Sequence, residues 1–135
     1  MVGRRTQAAW RAGRYHGGMK SLAFLVVVAM TAFAADLKPV DDAGLDAELA
    51  KPGEVFLEIS QSWCAPCQAA KAVLPGIAGA RPDVRFLTLD SGKSARYGGL
   101  AVPTFILYKD GREIDRHTGY SDEEQLKQFV ARLPR

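Results

Sequence analysis

The sequence is poor in the residues that hold metals and build covalent frameworks. It has two cysteines, Cys64 and Cys67, and two histidines, of which only His117 lies beyond the first 34 residues. With both thiols in one Cys-x-x-Cys, none is left for a separate structural disulfide. A structural zinc site needs four ligands, and two thiols with one remote imidazole do not supply them. Acid is missing from the first 34 residues, which carry Arg4, Arg5, Arg11, Arg14 and Lys20. The other thirteen Lys and Arg face fifteen Asp and Glu, so the net charge of +3 and the pI near 9.0 belong to the leader. That distribution leaves little support for a nucleic-acid partner. There is no internal repeat and no low-complexity linker, and 135 residues hold one domain rather than two.

What the first 34 residues do contain is the anatomy of an export signal. Met19-Lys20 supplies a positive start, Ser21 to Met30 is largely apolar, and Ala32-Phe33-Ala34 is a small-x-small cleavage site. We expect initiation at Met19, an untranslated stretch before it, and cleavage after Ala34, leaving a domain over residues 35–135. The apolar run is short for about 30 Å of hydrocarbon, although an uncleaved signal would act as a membrane anchor. Arg4-Arg5 lies too far from the run for a twin-arginine signal. Export places the protein in the periplasm or cell envelope, an oxidising space where disulfides persist.

Beyond the leader, Asp41 to Ala50 reads as a short amphipathic helix with Leu45 and Leu49 on one face and Asp41 or Asp42 as its cap. Val55-Phe56-Leu57-Glu58-Ile59 is nearly continuously apolar, as a central parallel strand is. A helix follows from Cys67 to about Leu74, where Pro75-Gly76 kinks or ends it, with a weak continuation over Ile77 to Ala80. Val84 to Leu89 is a second strand, which makes a right-handed parallel crossover, and one helical turn is expected near Ser94 to Tyr97. Thr104 to Tyr108 is a third strand. Asp110-Gly111 signals a hairpin into a fourth, Glu113 to Thr118, antiparallel to the third. Ser121 to Glu124 has the capping-box pattern and opens a helix with Leu126, Phe129, Val130 and Leu133 on one face.

A Cys-x-x-Cys between a strand and a helix is the layout of a dithiol that cycles between reduced and disulfide forms. Here it stands as Trp63-Cys64-Ala65-Pro66-Cys67, with Tyr97-Gly98, Val102-Pro103-Thr104, Lys109-Asp110-Gly111 and Gly119 downstream. Together with the element order, these residues resemble the thioredoxin family over about Val55 to Leu133. The resemblance implies an α/β thioredoxin fold, a central mixed sheet of four to five strands flanked by helices. Four departures mark this chain. Ala65-Pro66 replaces the family's usual Gly-Pro, Gln68 stands where a basic residue is common, Pro75 lies farther along the helix, and Glu58 replaces an aspartate. Glutamate there is similar to exported, membrane-associated reductases of cytochrome c maturation and their relatives.

From the resemblance, Cys64 is expected to be the nucleophile, since amides and dipole at a helix N-terminus favour a thiolate. Cys67, one turn inside, is the resolving thiol. Ala65 and Pro66 tune the couple and border the substrate, with proline tolerated in a first helical turn. Trp63 either presents a surface to substrate or simply packs. Glu58 is costly in a buried strand without a task or a partner. It either faces the motif and accepts the Cys67 proton, points to solvent, or pairs with a lysine. Pro103 is expected to follow a cis bond beside Cys64, with the Val102 backbone pairing with a substrate strand. His117 has no assigned role.

The reading is an exported thiol-disulfide oxidoreductase, a monomer that reduces protein disulfides. It needs no metal and no cofactor beyond the Cys64–Cys67 disulfide. Electrons in that compartment imply a membrane thiol carrier. The alternatives are an exported dithiol oxidase that uses the same residues, and a binding module with a thioredoxin-type groove and no turnover.

Overall fold

A computed structural model describes residues 34–135. The expected initiator Met19, the apolar run of the leader and the start of its cleavage motif lie outside the described residues. In chain order the elements are β1 (Lys38–Pro39), α1 (Asp42–Leu49), β2 (Glu54–Ser60), α2 (Ala65–Ala80), β3 (Val84–Asp90), a 3-10 turn (Ser91–Lys93), β4 (Thr104–Lys109), β5 (Arg112–Thr118) and α3 (Glu123–Val130).

The apolar run at Val55 becomes the central strand because both of its faces are covered. From Val55 to Ser60 every residue of β2 is buried. The sheet order is β1-β3-β2-β4-β5. β1 and β2 run parallel to β3, while β4 is antiparallel to both β2 and β5. The strand pleat then sorts the core into two layers. Phe56, Phe86, Phe105 and Leu107 share one layer with Ala70, Leu74 and Ile77 of α2 and Leu126, Phe129 and Val130 of α3. Val55, Leu57, Ile59, Leu87, Leu89 and Ile106 share the other with Leu45 of α1 and Tyr97. Phe56 anchors the first layer, its ring centroid 5.0 Å from Phe86 and 5.7 Å from Phe105.

The four expected strands, the crossover and the hairpin are present. The hairpin turns on two left-handed residues, Asp110 (φ 48°) and Gly111 (φ 77°). Glycine is required at the second, because a Cβ there would come within 2.6 Å of the Leu49 carbonyl oxygen.

Two expectations take definite form and two local ones change. A fifth strand, β1, adds two exposed residues at the edge of β3. Helix α2 begins at Ala65 with Cys64 as its cap, and it runs through Pro75 to Ala80. Pro75 forfeits one backbone hydrogen bond, but burial of Leu74, Ile77 and Ala78 on either side carries the helix past it. The turn after β3 lies at Ser91–Lys93, where Asp90 accepts from the Gly92 amide, rather than at Ser94 to Tyr97. The cap of α3 is Asp122, which accepts from the Gln125 amide at 2.8 Å, while Gln125 Oε1 accepts from the Ser121 amide. The capping pattern therefore sits one residue later than Ser121–Glu124, the charged Asp122 oxygen being the better acceptor.

Among the described residues no helix is long and apolar enough to cross a membrane.

Candidate active site

The site forms where β2 hands over to α2. The chain leaves β2 at Ser60 and turns through Gln61–Trp63, closed by the Cys64 amide donating to the Gln61 carbonyl at 3.2 Å. Cys64 is extended (φ −84°, ψ 110°) and caps α2, so its Sγ faces the unpaired amides of the first turn. The Cys67 amide donates to Cys64 Sγ at 3.3 Å. This is the arrangement that lowers the cost of negative charge on a sulfur. The two cysteines form a disulfide with their Cα atoms 5.2 Å apart. Cys67 is wholly buried and Cys64 is 3% exposed, so the outer sulfur of the pair is reached only along its rim.

That rim is built from the other expected residues. Ala65 and Pro66 are exposed in the first turn of α2, where the missing amide hydrogen of proline costs nothing. Trp63 is 75% exposed. A tryptophan packed for stability would not leave most of its indole in water, so the packing alternative for Trp63 falls away. Its indole N–H donates to Gln61 Oε1, and Gln61 Nε2 donates to the buried Ser91 hydroxyl at 2.6 Å. On the opposite side, the Val102 carbonyl oxygen lies 3.7 Å from Cys64 Sγ, and the Val102–Pro103 peptide bond is cis. Pro103 is buried, and its carbonyl accepts from the Gly119 amide at 2.8 Å.

Glu58 lies beneath. Its side chain is fully buried. By the strand pleat it faces the same layer as Phe56, the one covered by α2. Cys67, Ala70 and Leu74 line the buried side of that helix. Glu58 Oε2 accepts from the Thr88 hydroxyl at 2.9 Å, whereas Oε1 has no hydrogen-bond partner. Burial pushes the Glu58 carboxyl above its ordinary value, and the Thr88 hydrogen bond and the charge of Lys71 only partly offset this. Thus the alternative that sends Glu58 to solvent is excluded. A lysine does act on it, through its field rather than an ion pair among the described residues.

The structure thus brings Glu58, Trp63, Cys64, Ala65, Pro66, Cys67, Val102 and Pro103 to one end of the sheet. It adds Gln61, Ser91, Thr88 and Lys71, which sequence reasoning did not single out. His117 stays apart, half-buried on β5 with Nε2 at 2.6 Å from Gln125 Nε2. No group of three or more metal-ligating side chains occurs among the described residues.

Comparison with known proteins gives the same picture from three directions. The sequence model of the Thioredoxin family matches residues 36–132. The chain is 34% identical over 84 residues to thioredoxin of Chlamydia muridarum, covering 59% of this chain and 82% of that protein. It is 30% identical over 96 residues to thioredoxin of Staphylococcus aureus, covering 67% of this chain and 91% of that one. Among solved structures, Fasciola hepatica thioredoxin superposes with a TM-score of 0.66 at 27% identity, over 73% of this chain and 100% of that chain.

Proposed function

The chain belongs to the thioredoxin family, and from that premise we propose that it is an exported member that reduces protein disulfides in the cell envelope. It is a thiol-disulfide oxidoreductase whose Cys64–Cys67 pair serves as the redox centre, on protein disulfides, with no cofactor beyond that pair.

In the proposed reaction the reduced Cys64 thiolate attacks one sulfur of a substrate disulfide. A bond forms between Cys64 Sγ and that sulfur, and the other substrate sulfur leaves with the electron pair and takes up a proton. Cys67 then loses its proton to Glu58 and attacks Cys64 Sγ. The Cys64–Cys67 bond forms, the mixed disulfide breaks, and the second substrate thiol departs. Two electrons have passed from the pair to the substrate. Trp63, Ala65 and Pro66 border the entering chain, while the Val102 backbone offers it one donor and one acceptor for a short β-type pairing.

The observation that carries this reading is Cys64 Sγ at the N-terminus of α2, held 3.3 Å from the Cys67 amide and 3.7 Å from the Val102 carbonyl oxygen. The reducing direction draws on Ala65-Pro66 between the cysteines and on glutamate at position 58. Export draws on the leader alone, and a reductant there draws its electrons from a membrane thiol carrier. The full chain should catalyse insulin reduction by dithiothreitol, and Cys64→Ser should abolish it. An inactive wild type would sink the enzyme. For location, the protein recovered from the envelope fraction should begin at Ala35. Recovery from the cytoplasm with its leader intact would overturn export.

A further inference from the structure

The mechanism leaves one question about Glu58 open, namely which carboxyl oxygen handles the proton and what holds it there. The two oxygens are not equivalent. Oε2 accepts from the Thr88 hydroxyl at 2.9 Å, while Oε1 is buried without a partner. Thr88 is the residue of β3 directly across from Glu58 in the parallel register, so the pair is fixed by backbone pairing rather than by a mobile contact. On its other side Thr88 pairs with Pro39 of β1, and its carbonyl accepts from the Val40 amide at 2.9 Å. The strand carrying the hydroxyl is thus clamped from both edges.

Thr88 also touches solvent where Glu58 does not. It is half-buried, and with Lys71, Ser60 and Gln68 it lines a cleft of about 790 Å³. The rim residues Trp63, Ala65, Pro66, Val102 and Pro103 do not line that cleft.

We propose that Thr88 is a positioning residue for proton transfer: by donating to Oε2 it fixes the Glu58 carboxyl with Oε1 as the oxygen that exchanges a proton with Cys67. The proposal rests on the reading of Glu58 as the proton acceptor. In the step concerned, the Cys67 thiol proton passes to Oε1. The freed sulfur pair forms the bond to Cys64 Sγ, and the Cys64–substrate bond breaks with its electron pair on the substrate sulfur. The proton stays on Oε1 and returns to the Cys67 sulfur when the Cys64–Cys67 disulfide is next reduced.

The groups that bear on Glu58 come from every element around it. Helix α2 presents Lys71 and the Cys67 thiol, β3 the Thr88 hydroxyl, β4 the apolar Phe105 opposite, and β2 itself Phe56 and Ser60. Removing the hydroxyl leaves burial opposed by Lys71 alone, which favours the neutral acid. The form of Glu58 that accepts a proton then becomes scarcer at low pH.

The test is the pH dependence with which Cys67 resolves a mixed disulfide between Cys64 and a protein substrate, a step that follows the Cys64 thiolate attack, in the full chain for wild type, Thr88→Val, Thr88→Ser and Glu58→Gln. Wild type should show an acid limb that Glu58→Gln removes. Thr88→Val should move that limb to higher pH, roughly fivefold slower near pH 6 and little changed near pH 9, as loss of one hydrogen bond to a charged acceptor predicts. Thr88→Ser should restore the wild-type limb. Uniform slowing of Thr88→Val at all pH values, or an unmoved limb while Glu58→Gln abolishes it, would overturn the role of Thr88 and leave Glu58 in place. A limb that survives Glu58→Gln would overturn both. Should Thr88→Val fail to fold, Thr88→Ala makes the same deletion and is judged by the same outcomes.

Discussion

Replacing Glu58 by glutamine should make the protein more stable, and increasingly so as pH rises. The sign follows from burial. The Glu58 carboxyl is fully enclosed, and its pKa is raised above the ordinary 4.5 by desolvation first, against the Thr88 hydrogen bond and Lys71. In the unfolded chain it ionises near that ordinary value, so folding at higher pH must bury a charge or hold a proton. An acid with a raised native pKa favours the fold fully below its unfolded pKa and loses that contribution as pH climbs through the native one. One oxygen retains a partner and the other has none, so the charged form resembles a buried acceptor left unsatisfied, at a cost of about 2 kcal/mol. Glutamine keeps the shape, carries no charge, and still offers an acceptor to Thr88. The expected gain is therefore close to zero near pH 4 and about 2 kcal/mol near pH 9, or roughly 10 °C in Tm for a domain of this size. Urea unfolding of the oxidised full chain across that range measures it, since the disulfide removes the thiols from the titration. A gain that is constant with pH, or a loss of stability at pH 9, would refute the reasoning.

Other sites give sharper or simpler tests. Glu48 is a buried carboxylate that pairs with Lys38, Lys51 and Arg85, tying α1 to β1 and β3. Hydrogen bonds from Lys38 and Lys51 hold it below its ordinary value, so its contribution is present above that value and lost as pH falls through the native one. Glu48→Gln should cost about 1–3 kcal/mol at neutral pH and converge on wild type in acid, read by urea titration. Trp63→Ala removes an exposed side chain and should leave Tm within a degree or two, about the scatter of surface changes. It should nevertheless raise KM for a protein disulfide several-fold, with a small aromatic disulfide little affected. Gly111→Ala forces a Cβ against the Leu49 carbonyl at a left-handed position and should destabilise by about 1–3 kcal/mol in thermal unfolding.

How much of this was legible in the sequence depends on how local each cause is. The Asp110-Gly111 hairpin and the period of Leu126, Phe129 and Val130 are written in neighbouring residues, and they formed as expected. The motif was also local, since Cys64 caps α2 with its own side chain. Strand β1 was illegible because two residues that include a proline become a strand only when β3 supplies the partner. Pro75 by itself reads as a kink or an end, and the burial of Leu74, Ile77 and Ala78 is what carries the helix through it. Within the site, Glu58 stood out as an acid in an apolar strand. Thr88 and Ser91 could not, because each acts through a partner thirty residues away, on Glu58 and on Gln61.

The central claim is that Cys64 and Cys67 work as a reducing dithiol, and the redox potential of that couple tests it most directly. The full chain would be equilibrated in buffers of defined thiol-disulfide poise, and the fraction oxidised read by trapping free Cys64 and Cys67. The account predicts a potential near that of thioredoxin, roughly −270 mV. A value near −120 mV, the range of a disulfide donor, would contradict it and assign the same residues to oxidation.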